Sequence, residues 1–219
     1  MRTLILLGLC ALVALPQPLR ADAFSDGARA AIAGDYATAF GHWLPLAEGG
    51  DADAQYNLGN LYDRGLGRAE DDAAAAEWYR RAAGQGVVEA MVNLGLIHEL
   101  GRAGVARDPA EAARWYEEAG AAGNALAQFK LGEMYSTGTG VPQDYARAAE
   151  WYERAVRQNL AAAMYRLGTL YAMGQGVAQD AGLASELYER GEATTCMIRG
   201  HEYEPLAMRT ARMSVFVGG

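Results

Sequence analysis

Three histidines, two cysteines and a recurring set of carboxylates, glycines and aromatics are the residues of this chain whose types can do chemistry. His42, His98 and His201 are far apart, and only His201-Glu202-Tyr203-Glu204 gathers potential metal ligands locally. It lacks the His-Glu-x-x-His spacing that turns two imidazoles to one metal, so no metal site is expected. Asp71, Asp108, Asp144 and Asp180 each stand alone in a loop, one repeat from the next. That placement suits a carboxylate accepting from the free amides of a helix's first turn, and Pro109 after Asp108 fits the first helical position. Gly65-x-Gly67, Gly138-x-Gly140 and Gly174-x-Gly176 invite a phosphate-binding reading. None continues as G-x-G-x-x-G or into Gly-Lys-Ser/Thr after a strand, so they are read as turns. Trp78-Tyr79, Trp115-Tyr116 and Trp151-Tyr152 could form stacking platforms, but they fall with alanines at i, i+3, i+4 and i+7 and read as core. No catalytic residue and no cofactor is expected, and the chain does not read as an enzyme.

The elements that carry these residues repeat. Leu-Gly stands at 58–59, 94–95, 131–132 and 167–168, spacings of 36, 37 and 36. A period of this size marks an array of helical hairpins. Around each Leu, small or apolar residues at −4, 0, +3 and +4 give the first helix one buried stripe, as in Ala127, Leu131, Met134 and Tyr135. Gly59, Gly95, Gly132 and Gly168 recur inside that helix although Gly there costs about 1 kcal/mol relative to Ala, which points to close approach of a neighbouring helix. In the second helix the column residues are Trp78, Trp115 and Trp151 with their tyrosines, and Leu187-Tyr188 is the last copy. Gly86, Gly123 and Asn159 end it in residues tolerant of the left-handed conformation, where Thr195 fits poorly. The fold class is all-α, a right-handed α-solenoid of stacked antiparallel helix hairpins. Residues 24–50 form a leading half-repeat with helices near 24–33 and 36–48. Four repeats follow at about 51–87, 88–123, 124–159 and 160–195, and 196–219 is a C-terminal cap or tail with a short helix from Tyr203 to Met213.

Arg2, the apolar run Thr3 to Leu15 and Ala21-Asp22-Ala23 together read as an export signal covering 1–23, cleaved near Ala23. The apolar run is too short to span a bilayer, which takes about 20 residues. A periplasmic or secreted protein is expected. Its net charge of −8 argues against nonspecific nucleic-acid binding, which needs a cationic footprint. Cys196 is the only cysteine outside the signal, so packing and not a disulfide must hold the fold.

The assembled pattern, A-x-A-x-x-x-L-G-x-x-Y-x-x-G-x-G-V-x-x-D-x-x-x-A-x-x-W-Y-x-x-A, resembles the Sel1-like repeat, a relative of the tetratricopeptide hairpin. Residues 125–155 match every fixed position, and 52–82 departs only at Arg68 for Val. The 161–191 copy substitutes Leu187 and Gly191; the 88–119 copy carries Val88, His98 for Tyr and one extra loop residue. The resemblance implies an α-solenoid that scaffolds protein–protein contacts, in exported bacterial members linked to envelope assembly, exopolysaccharide regulation, signalling or host contact. A cysteine-rich branch of the family is associated with β-lactams, and this chain lacks those cysteines. The alternatives to a scaffold for a protein or peptide partner are a hydrolase of β-lactams or peptidoglycan and a glycan or muropeptide binder.

Positions −5, −1, +2 and +6 around each Leu lie opposite the buried stripe, on the helices that line the concave side of such arrays. The candidate binding residues there are Asp53, Asn57, Asn60, Glu89, Asn93, Leu96, Lys130, Glu133, Arg166 and Thr169. Lys130 and Arg166 form an expected cationic spot on an acidic protein, suited to an acidic segment of a partner.

Overall fold

The computed structural model describes residues 17–102 and 104–198, with side chains from 22 to 195 apart from 103. Among the described residues the regular elements are all helices, in two compact units divided between Ala90 and Met91.

In the first unit lie α1 (Gln17–Ile32), α2 (Tyr36–Glu48), α3 (Ala52–Asp63) and α4 (Asp72–Ala83), and α5 (Val88–Leu100) begins there. Asp35 caps α2 by accepting from the Thr38 amide, and Asp51 and Asp71 cap α3 and α4 through the amides of Ala54 and Ala74. The core of the leading hairpin is Trp43, Leu46 and Ala47 against Leu58 and Leu61. Trp43 lies beside Phe24, the rings tilted by 37°, and donates to its carbonyl at 3.3 Å, so the leading hairpin closes over its own aromatic pair. Helix α1 starts at Gln17, seven residues ahead of the expected Phe24, and runs through Ala21-Asp22-Ala23. Arg68, the departure from Val in the first loop, lays its guanidinium over Phe40 at 3.2 Å and near Tyr62 at 4.5 Å. The arginine replaces an aliphatic contact by cation–π contacts, with its stem packed along the rings.

The second unit holds the rest of α5, then α6 (Pro109–Ala121), α7 (Ala125–Thr137), α8 (Tyr145–Val156), α9 (Ala161–Met173) and α10 (Ala181–Ile198). Asp108, Asp144 and Asp180 cap α6, α8 and α10 as the loop carboxylates predict. Asn159 is the one non-glycine among the described residues with positive φ, at 60°, ending the turn after α8. Thr195 lies inside α10, which continues to Ile198 because nothing there adopts the left-handed end. The expected capping helix of the tail lies outside the described residues.

Two devices hold successive hairpins together. The second glycine of each described loop is pressed on the first turn of the preceding hairpin's second helix: Gly67 on Tyr36-Ala37, Gly140 on Pro109-Ala110, Gly176 on Tyr145-Ala146. A Cβ on Gly67 would stand 2.9 Å from the Ala37 nitrogen, so this glycine serves stacking as well as the turn. The other device is a glutamine relay. Gln55 donates to the Ala47 carbonyl at 3.0 Å and accepts from Gln85 at 2.8 Å. Gln128 donates to Gly120 and accepts from Gln158, both at 2.9 Å. Each buried amide thus adds a second hydrogen bond to a helix-end carbonyl that also accepts from a backbone amide of the following turn. The second and fourth copies carry Met91 and Met164 in that column and have no such relay.

Candidate functional site

The site begins with the repeated glycine. Tyr79, Tyr116 and Tyr152 are 0–1% exposed, and each ring crosses the first helix of its hairpin over Gly59, Gly95 or Gly132. A Cβ on Gly59 would stand 2.6 Å from the Tyr79 ring, and one on Gly132 2.5 Å from that of Tyr152. The close approach read from the sequence is therefore that of a tyrosine ring. Tyr188 repeats the arrangement over Gly168 with a looser 2.9 Å. The −2 column adds a second ring to three of these: Tyr56, Phe129 and Tyr165 lie 5.9–6.0 Å from Tyr79, Tyr152 and Tyr188. In the last copy Gly191 replaces Ala and leaves room for Tyr165.

The tryptophans beside these tyrosines differ. Trp115 is buried, whereas Trp78 and Trp151 are only half-buried, under the guanidiniums of Arg81 and Arg154 at 4.7 and 4.2 Å. The uniform core column expected from spacing is corrected to one buried indole and two half-buried ones; Trp115 too has a guanidinium over its ring, that of Arg114 at 4.8 Å. A long cationic side chain three residues on can cover an indole face as well as a neighbouring helix can.

Crossing the glycine brings each tyrosine hydroxyl to the far side of the first helix, among the candidate binding residues. In the first unit the Tyr79 hydroxyl stands 3.1 Å from Asn60 Oδ1 and 3.3 Å from Asp63 Oδ2, while the Asn60 amide donates to the Tyr56 carbonyl. Beside it opens a cleft of about 270 Å³ lined by Tyr36, Trp43, Tyr56, Asn57, Asn60 and Arg64 with Ala31, Leu61 and Leu66. Asn57 and Asn60 are half-buried in it; Asp53 and Glu89 are exposed elsewhere on the unit.

In the second unit the same face closes on itself. Tyr116 donates to Glu99 at 2.7 Å, and Lys130 reaches the other oxygen of Glu99 at 3.1 Å. Arg166 pairs with Glu133 at 2.9 Å, and the Tyr188 hydroxyl meets Thr169 at 3.3 Å. Burial, followed by the hydrogen bond to Glu99, pushes the Tyr116 phenol far above its ordinary value. Burial likewise raises that of Tyr152. The expected cationic spot is thereby corrected: Lys130 and Arg166 are each answered by a carboxylate of the preceding first helix, and the two pairs carry no net charge. Asn93 and Leu96 are half-buried on α5. Exposed aliphatic side chains remain at Leu100 (62%), Leu126 (43%) and Met173 (63%), in the −5 and +6 columns, and the Tyr165 ring of the −2 column is also partly exposed (36%). Sequence reasoning missed Glu99 because it stopped at +2 and +6; Asp63, Glu99 and Ser136 share the +5 column, which is where the tyrosine hydroxyls arrive.

His98, in the Tyr column, has both imidazole nitrogens buried without a hydrogen-bond partner among the described residues. Its equivalents Tyr135 and Tyr171 reach Arg147 and Glu153. Near His98, the carboxyl of Glu111 is held below the usual range first by the Arg114 guanidinium. His42 lies in the other unit, and His201 lies outside the described residues. Among the described residues no three His, Cys, Asp or Glu side chains are placed to hold a metal. No helix there is long and apolar enough to cross a membrane.

Hairpins each closed by a tyrosine-over-glycine contact and carrying a varied polar face define a helical-repeat scaffold. The Sel1 repeat model matches residues 52–87, 88–124, 125–160 and 161–191, and the chain belongs to the Sel1 repeat family, whose members are in general protein–protein interaction scaffolds. Among solved structures it is similar to c5321, a protective antigen of uropathogenic Escherichia coli strains displaying an SLR fold, at 31% identity and TM-score 0.76. That match covers 80% of this chain and 38% of c5321. It is also similar to a Sel1 repeat protein from Oxalobacter formigenes, at 32% identity and TM-score 0.70 over 78% of this chain and 69% of that one. MamA, 19% identical with a TM-score of 0.55 over 80% of this chain and 97% of that one, shares the fold. None of the curated proteins matches.

Proposed function

We propose that this protein is an exported, non-catalytic scaffold that holds a protein or peptide partner on the first-helix face of its second unit. The observation that carries the reading is the set of exposed apolar side chains on that face, Leu100, Leu126 and Met173, flanking ion pairs that are already neutralised. Exposed apolar surface next to satisfied charge favours an apolar contact with a polar rim over a purely electrostatic one. The part played by Lys130, Glu133, Arg166 and Thr169 is then orientation, with Asn93 and Leu96 beside them. Export rests on the apolar run Thr3 to Leu15 and the small residues at Ala21 and Ala23. Envelope assembly, exopolysaccharide regulation and signalling are the settings in which such a scaffold serves.

Photo-crosslinking tests the reading. A crosslinker placed at Leu126 or Met173 in cells is expected to capture a defined partner band, while one on the exposed side of α6 at Glu117 captures none. Equal capture from both positions overturns it. Mass spectrometry of the same cells reads export directly, since an intact Met1 on a cytoplasmic protein contradicts it.

A further inference from the structure

We propose that the cleft of the first unit binds the free C-terminal end of a peptide chain whose last side chain is apolar. This site is separate from the second-unit face, and it stands or falls independently of that reading.

Charge gives the first half of the argument. Among the described arginines of the first unit, Arg29 pairs with Asp26, and Arg80 and Arg81 share Glu77. Arg68 is stacked on Phe40. Arg64, at the end of α3, has no acidic partner among the described residues, is exposed, and lines the cleft. An unpaired guanidinium offers a planar fork of donors that fits a carboxylate, and such charge-assisted bonds are the stronger ones. Asn57, two turns back on the same helix and in the same cleft, adds an amide donor that makes no hydrogen bond to a described residue.

Shape and polarity give the second half. Apart from Asn60, the remaining wall is apolar and aromatic: Tyr36, Trp43 and Tyr56 with Ala31, Leu61 and Leu66. A C-terminal residue carries an anion and an apolar side chain on one Cα, so a single residue meets both the Arg64 end and the aromatic wall. An aspartate or glutamate side chain supplies the anion and leaves that wall uncovered. The volume, about 270 Å³, lies just under the roughly 300–1,000 Å³ of small-molecule sites and suits the end of a chain, not a helix laid in a groove. Asp63, which meets the Tyr79 hydroxyl, is not among the residues that line the cleft.

The test uses calorimetric titration and amide-shift mapping on the full chain. The probes are acetyl-Ala-Ala-Leu with a free carboxylate, the same peptide amidated, and acetyl-Ala-Glu-Ala-amide. The free acid is expected to bind and to shift the amides of residues 56–66. The amide is expected to bind about tenfold or more weakly, as loss of one charged hydrogen-bonding group implies. Arg64→Gln should weaken the free acid to the level of the amide at unchanged melting temperature, and Arg64→Lys should recover part of it. Equal binding of acid and amide, insensitivity to Arg64→Gln, or no shift in residues 56–66 at millimolar peptide each overturns the proposal. Equal binding of the internal-glutamate peptide overturns its assignment to a chain end.

Discussion

The two units solve one packing problem in the same way and use the resulting face differently. Both lay a tyrosine over a glycine and deliver a hydroxyl to the outside of the first helix. In the second unit that hydroxyl enters a closed set of partners, Tyr116–Glu99–Lys130, with Glu133–Arg166 one hairpin on. In the first unit Tyr79 meets Asn60 and Asp63, and Arg64 and Asn57 face a cleft. The difference shows that the repeat fixes where polar groups emerge, while the few residues in the −1, +2, +5 and +6 columns decide whether they pair with each other or face an open cleft.

The core is where the units should be indistinguishable. Leu58→Ala and Leu131→Ala, at side chains 0–1% exposed, are each expected to cost about 2–5 kcal/mol. Against a total of roughly 5–15 kcal/mol this is a large drop in melting temperature. A small effect at either position would break the claim of a common core. Next come Gly59→Ala and Gly132→Ala. The new Cβ must displace a fully buried ring, which overpacks the contact by about 1–3 kcal/mol in each unit, measurable by denaturant unfolding.

The faces should then separate them. Reversing Lys130 and Arg166 to Glu places like charges beside Glu99 and Glu133, and is expected to lower stability by about 1–2 kcal/mol, a few tenths to one per exposed pair plus the repulsion. Adding Glu99→Lys and Glu133→Lys should recover most of it. Arg64→Glu has no pair to break and is expected to change stability by less than about 0.5 kcal/mol. If Arg64→Glu destabilised as much as the double reversal, the contrast between the units would be lost.

The period, the helix pairs, the aspartate caps and the close approach at Gly59, Gly95, Gly132 and Gly168 are legible in the sequence because each demands a residue type at a fixed offset. What could not be read there depends on side chains from two hairpins meeting. Gln55 and Gln85 look like ordinary polar residues until one is buried at a helix end, and Glu99 falls outside any single-helix face count. Arg68 looks like a lapse from the pattern until Phe40 is brought under it. Lys130 and Arg166 read as free cations because their carboxylates lie 31 and 33 residues earlier. Trp78 and Trp151 read as core because spacing reports which way a side chain points and not whether a neighbour covers it.

The unequal surroundings of the tryptophans make the protein its own spectroscopic gauge. Trp43, 5% exposed and hydrogen-bonded to Phe24, belongs to the first unit, and Trp115, 7% exposed with its indole nitrogen buried, to the second. Both indoles are shielded from aqueous quenchers, whereas those of Trp78 and Trp151 are half open beside their arginine stems. Emission from a variant retaining only Trp43 or only Trp115 therefore reports the opening of one unit without the other. The pair of variants resolves whether the chain melts as a single cooperative block or one unit at a time.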